Sequence, residues 1–207
     1  MKHSRLAFCL AGAAAALAAC APAPPPSEVF LHLSQGGRIC IGRPENIEAG
    51  KCKMVMNGSA ASDGALTANV FILTSMMTMD DVKDYKLAYA LPLRSGKDGY
   101  CFRGKDWLDS IRLWAPFDPV GRVTDTDVAA DEDTRSSMVS SARWSFSLGE
   151  KDEQCEIYTP QSTTADGRTI LKMTVTRNGD VQENGFEDSA FAVFMPPDGD
   201  LTLVHSY

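Results

Sequence analysis

Beyond the first 20 residues, four cysteines, two histidines and a run of acids are the side chains whose types could do chemistry. Cys9 and Cys20 lie near the N-terminus, which leaves Cys40, Cys52, Cys101 and Cys155. No pair has the two-residue gap of a redox dithiol, and none has zinc-site spacing. An even number of cysteines in an exported domain reads as two disulfides. Cys40–Cys52 with Cys101–Cys155 is feasible, and so is Cys40–Cys101 with Cys52–Cys155. Each bond would stabilise the fold by about 2–4 kcal/mol, mostly by restricting the unfolded chain. Beyond the leader the histidines are His32 and His205. Either could act as a general base. A packed or solvent-facing ring is the stronger expectation, because no nucleophile and orienting group accompany them. The chain has no Gly-x-Ser-x-Gly elbow, no Ser-x-x-Lys pair and no glycine-rich phosphate loop. No catalytic residue is assigned, and no cofactor is expected.

Asp125, Asp127, Asp131, Glu132 and Asp133 form the densest acidic run. Calcium takes oxygen ligands, so Asp125, Asp127 and Asp131 are the candidates for a cation site. The glycine and closing glutamate of an EF-hand loop are missing, and a solvated loop is the favoured reading. Trp107, Trp114 and Trp144 would make a sugar-binding platform if exposed. Their neighbours alternate as core strands do, so burial is expected.

The elements that must position these residues are mostly strands separated by turn residues. Val29–Leu33, Arg38–Gly42, Cys52–Asn57, Leu66–Thr74 and Tyr85–Leu91 read as strands, the last stopped by Pro92. Tyr100–Phe102, Arg143–Leu148, Cys155–Tyr158, Ile170–Thr176, Ala190–Met195 and Leu201–Val204 follow. In Ile170–Thr176 the residues Leu171, Met173 and Val175 share one face. Asn178-Gly179 suits a tight hairpin turn with positive φ. Asp106–Trp114 fits either a helix or a strand, and Thr134–Ala142 fits a helix with Met138, Val139 and Ala142 inward. The fold class is mainly β: a β-sandwich or open barrel with one or two short helices, stabilised by disulfides.

The N-terminus carries the address. Lys2 and Arg5 precede an uncharged stretch, Leu6 to Ala19, too short to span a bilayer core that needs about 20 apolar residues. Leu17-Ala18-Ala19-Cys20 resembles the lipobox of bacterial lipoproteins. That resemblance implies cleavage before Cys20, lipidation of its sulfur and a membrane anchor. With Ala21 rather than Asp after the cysteine, it implies sorting to the outer membrane, facing the periplasm. Ala21-Pro-Ala-Pro-Pro-Pro-Ser27 is an extended tether. The domains are therefore a signal peptide at 1–19, a lipidated tether at 20–27 and one β-rich globular domain at 28–207.

Gly37-Arg38-Ile39-Cys40-Ile41 and Asp98-Gly99-Tyr100-Cys101-Phe102 add a second likeness. A strand with a cysteine, then a turn with another, resembles periplasmic lipoproteins proposed as type VI secretion immunity proteins. The likeness covers residues 20–117 at most, and it implies Cys40–Cys101 pairing. Residues 118–207, with Cys52 and Cys155 as extra cysteines, depart from it.

Removal of residues 1–19 takes away Lys2 and Arg5 and no acid. The 20 basic and 27 acidic residues become 18 and 27, a formal charge of −9. That balance argues against nucleic acid and against adhesion to anionic lipid through a basic patch. It suits a basic protein partner in the envelope. The function expected is non-enzymatic binding by a lipid-anchored accessory protein. An immunity-type inhibitor of a periplasmic toxin is one alternative. A carboxylate-dependent envelope hydrolase is another, which two close, buried acids in a cleft would favour.

Overall fold

The alternating strands close on themselves. The computed structural model describes residues 27–60, 66–77, 81–145, 149–182, 190–196, 198 and 201–205. The expected leader, Cys20 and the expected tether up to residue 26 lie outside the described residues. In chain order the elements are α1 (Glu28–Ser34), β1 (Arg38–Gly42), α2 (Pro44–Glu48), β2 (Lys51–Cys52), β3 (Met54–Ala60), β4 (Leu66–Met77), β5 (Val82–Ser95) and β6 (Gly99–Arg103). A 3₁₀ turn (Asp106–Ser110), β7 (Arg112–Trp114), α3 (Glu132–Ser145), β8 (Glu153–Thr163), β9 (Thr169–Arg177), β10 (Asp180–Val181), β11 (Phe191–Met195) and β12 (Thr202–Leu203) follow.

Eight strands form an antiparallel ring in the order β1-β3-β4-β5-β6-β8-β9-β11, which returns to β1. The mainly β, disulfide-stapled class is as expected; between the sandwich and open barrel that were expected, the sheet is a barrel, and it is closed by the β8–β9 and β11–β1 pairings. Closure leaves the ring without a free edge.

Period-two alternation gives the wall two apolar faces. Ile39, Ile41, Met56, Leu66, Ala68, Val70, Leu87, Leu91, Tyr100, Phe102, Leu171, Met173 and Ala192 fill the interior. Each Ile, Leu, Val, Met or Phe among them contributes about 1.5–3 kcal/mol by leaving water. Cys40, Val55, Phe71, Ala88, Ile170 and Val193 face the other way and pack with Ile47, Leu201 and Leu203 in a second cluster outside the wall.

Several local expectations are corrected. Val29–Leu33 is helix, not strand. The Ser27 side chain caps α1 by accepting the Phe30 N–H, and Val29 and Leu33, four apart, turn into the interior cluster. Pro92 does not stop β5, which runs on to Ser95 with Pro92 opposite Thr67. The Ala90 N–H, two residues earlier, points to Ser110 Oγ and away from β4. By the same period, the donor that Pro92 lacks would face away from β4, beyond the short stretch that pairs with β7, so no ladder bond to β4 is lost. Asp106–Trp114 divides into the 3₁₀ turn and β7. Arg143–Ser145 ends α3 rather than starting a strand, and 146–148 lie outside the described residues. Asn178 and Gly179 have φ of 51° and 94° and make the tight turn between β9 and β10.

Of the three connectivities that four cysteines allow, the molecule has Cys40–Cys52 with Cys101–Cys155. The Cys40–Cys101 pairing implied by the immunity-lipoprotein likeness is therefore corrected. Cys101 stands directly opposite Cys155 in the β6–β8 register, while Cys40 and Cys52 are both buried beneath the outer cluster.

Candidate interaction loop

Between β7 and α3 the chain leaves the barrel. Residues 115–131 contain Pro116, Asp118, Pro119 and Gly121, which punctuate regular structure. Irregular loops beyond about 12–15 residues are uncommon in compact domains and are often functional. This one is tied down at almost every step.

Its central fastening is Lys86 on β5. Tyr85 and Leu87 face the interior, so Lys86 projects outward, under the loop. Its ammonium donates to the carbonyls of Asp118 at 2.9 Å and Arg122 at 2.8 Å, and it pairs with the Asp127 carboxylate. Both charged side chains are fully removed from solvent. The Asp127 carboxylate also accepts the N–H groups of Asp118 at 2.9 Å and Thr124 at 2.8 Å. Burial pushes this carboxyl up, but the Lys86 hydrogen bond, the two N–H groups and the Lys86 charge outweigh it and hold it below the usual range. Every charge in the pair is thus met by a partner, which a buried ion pair requires.

A second fastening runs through the outer cluster. Gly121 lies so close to the wall that a Cβ there would stand 2.7 Å from the Val55 side chain. Its carbonyl accepts from Asn57 Nδ2 at 3.0 Å, and its N–H donates to the Leu201 carbonyl. Leu203 N–H donates to the Pro119 carbonyl at 2.7 Å, and β12 pairs in parallel with β2. Cys52 of β2 is bonded to Cys40 of β1, so this staple reaches the loop through one intervening strand. Ala115 and Val128 close the neck, where Ala115 N–H donates to the Val128 carbonyl and Val128 N–H to that of Pro116.

What the loop displays is mixed in character. Arg122, Val123, Asp125, Thr126 and Val128 are exposed, each valine to 53%. The acidic candidates are thereby dispersed. Asp127 belongs to Lys86. Asp131 caps α3, accepting the Thr134 N–H at 2.8 Å and its hydroxyl at 3.0 Å, which lowers its pKa. Asp125 is exposed at the apex. The expected solvated loop is thus half right: the loop is on the surface, but its middle aspartate is buried. Among the described residues, the three potential ligands that cluster are Cys101, Glu153 and Cys155, whose two sulfurs are bonded to each other.

Comparison with protein-family models, curated proteins and solved structures returns no match. The loop must be read on its own geometry.

A second polar cluster lies inside the barrel. Glu156 on β8 points inward, where the Tyr100 and Tyr158 hydroxyls both donate to its Oε2, the latter at 2.7 Å. Burial raises the Glu156 pKa against the lowering effect of the two phenols. The same burial, with the neighbouring carboxylate, pushes both tyrosines up. Glu156 and Asp127 are both buried carboxyl side chains, and they occupy opposite faces of the wall. They do not make the close acid pair that a hydrolase would use.

The remaining candidates take structural places. His32 stacks on Phe194 at 4.6 Å, and its Nε2 donates to the Arg38 carbonyl at 3.0 Å. His205 Nε2 lies 3.2 Å from Asp84 Oδ2. Trp107 is buried and donates to the Gly104 carbonyl, and Trp114 is half-buried against the outer cluster. Trp144 is 89% exposed, contrary to the burial expected. It belongs to a helix whose inward residues are Met138, Val139 and Ala142, and the strand pattern that placed it in a core is not the local structure. Neither residue type nor motif marks Lys86 or Glu156 in the sequence. Their signal was position: a charge at an alternate site of an apolar strand, as in Tyr85-Lys86-Leu87.

Proposed function

We propose that this chain is a lipid-anchored envelope protein that works by binding another envelope protein, without catalysis, and that the 115–131 loop is its recognition element. The observation that carries the reading is the Lys86 fastening. Taking two charges out of water carries a penalty of several kcal/mol per ion, and a wall built only for stability does as well with apolar residues. Here the pair organises backbone on both sides of an exposed apex. A loop ordered before the encounter avoids about 0.5–1.5 kcal/mol of ordering per immobilised side chain when a partner binds. The lipobox likeness supports the anchor. Ser27, the last tether residue, caps α1, and its hydroxyl donates to the Gly99 carbonyl at 2.5 Å, so the tether's end is fixed to the barrel. The net charge of −9 after signal removal supports a basic partner.

The test is site-specific photo-crosslinking of the lipidated protein in native membranes. A photoreactive side chain at Asp125 is expected to give a discrete protein adduct that weakens with salt. The same group at Lys97, exposed in the β5–β6 turn, is expected to give none. Equal adducts at both positions, or an adduct at Lys97 alone, would overturn the assignment to the loop. Cys20→Ala is expected to abolish incorporation of labelled palmitate and the cut before residue 20, and equal labelling of the variant and the natural protein would refute the anchor.

A further inference from the structure

The two disulfides differ in their surroundings. Cys40 and Cys52 are fully buried. Cys101 and Cys155 are half-buried on the outer face of β6 and β8. Gly96 runs alongside: a Cβ there would stand 3.2 Å from Cys101 Sγ, so glycine leaves that flank of the sulfur uncovered. Arg94 faces Cys101 in the β5–β6 register, and Arg94 and Arg103 share the Glu153 carboxylate. The Glu153 carboxylate lies within 4.8 Å of both sulfurs, and the two guanidinium groups are paired to it. The two arginines offset that carboxylate and so reduce the repulsion it would exert on an approaching thiolate and on the thiolate that leaves. The position along the chain matters as much. The 3₁₀ turn, β7, the 115–131 loop and α3 all lie between Cys101 and Cys155, which are 54 residues apart.

We infer that Cys101–Cys155 is a reducible clamp across the excursion that displays the loop, opened by a dithiol that leaves Cys40–Cys52 intact. One thiolate of the dithiol attacks a protein sulfur, forming a mixed disulfide and expelling the other protein sulfur as a thiolate. The second thiol of the reductant then displaces the protein from the mixed disulfide. The reductant leaves as its own disulfide, two electrons pass to the protein, and both cysteines end as thiols. The consequence, a loosened binding loop, rests on the function proposed above; the selectivity of reduction does not.

The experiment uses the mature, oxidised protein and dithiothreitol at neutral pH without denaturant, with timed alkylation and peptide mapping. Cys101 and Cys155 are expected to be alkylated at least about ten-fold faster than Cys40 and Cys52, because access governs exchange. Gly96→Ala is expected to slow the first pair several-fold and leave the second unchanged. In the singly reduced protein, amide exchange across 115–131 is expected to rise. Equal rates at both disulfides, or Cys40–Cys52 opening first, would overturn the selectivity. Unchanged exchange across 115–131 after selective reduction would overturn the clamp. None of these readouts needs a partner, so they stand or fall separately from the crosslinking result.

Discussion

Glu156 and Asp127 are both carboxyls taken out of water, and the barrel treats them in opposite ways. Inside the wall, Glu156 meets two phenol donors and, among the described residues, no cation, and burial raises its pKa. Outside, Asp127 meets the Lys86 ammonium and two backbone N–H groups, and its pKa is lowered despite burial. The first arrangement joins β6 to β8 within the core. The second reaches from a strand to the backbone of a loop with exposed side chains. Desolvation alone does not decide the ionisation of a buried acid; the charge and number of its donors do. The difference also separates a group that serves packing from one that serves display.

The sharpest way to break the comparison is to remove one member of the outer pair. Lys86→Met leaves the Asp127 carboxylate buried without its cation, and a loss of about 3–5 kcal/mol is expected in urea unfolding. Lys86→Met with Asp127→Asn is expected to be less damaging than Lys86→Met alone. A double variant that loses the sum of both singles would show that the two side chains do not act as a pair.

The two carboxyls should also answer pH with opposite signs. Glu156 holds its proton in the folded state above the ordinary value of 4.5. As pH rises past that value the unfolded chain ionises first, and stability falls by up to about 1.4 kcal/mol per pH unit until the folded group ionises too. Glu156→Gln should remove that decline. Asp127 contributes stability that is present above its ordinary 3.8 and is lost as pH falls through its lower folded value. Asp127→Asn should therefore flatten the acid limb. Denaturant midpoints of the protein and both variants across pH check the two signs together, and parallel profiles would deny that the environments differ.

The smallest effect is expected at Trp144. Its ring is exposed on α3, and Trp144→Ser should change stability by no more than about 0.5 kcal/mol, as surface substitutions do. A loss of several kcal/mol in thermal or urea unfolding would place the ring in a core.

Trp144 also marks where the sequence misled. Trp144, Phe146 and Leu148 alternate like a strand, yet Met138, Val139 and Ala142 set the face that packs, and the helix they define carries Trp144 outward. Val29–Leu33 misled in the opposite sense, because a short apolar run does not reveal its period and the Ser27 cap decided for helix. The inner and outer faces of Ile170–Thr176, the Asn178-Gly179 turn and the β-rich class were legible, since each rests on local alternation or local φ. Closure of the ring was not, because the β8–β9 and β11–β1 pairings depend on contacts between distant segments. The candidate site was half legible. Asp125, Asp127 and Asp131 are visible as acids, but Lys86, which lies 41 positions before Asp127, is visible only as a charge in an apolar strand.

The central claim is that Lys86 holds the 115–131 loop in place before any partner arrives. Amide hydrogen exchange at Asp118 and Thr124, whose N–H groups donate to Asp127, tests it most directly. At neutral pH both amides should be protected in the natural protein. In Lys86→Met both should exchange much faster, while amides of the β4–β5 ladder keep their protection. Equal protection of Asp118 and Thr124 in the two proteins would contradict the account.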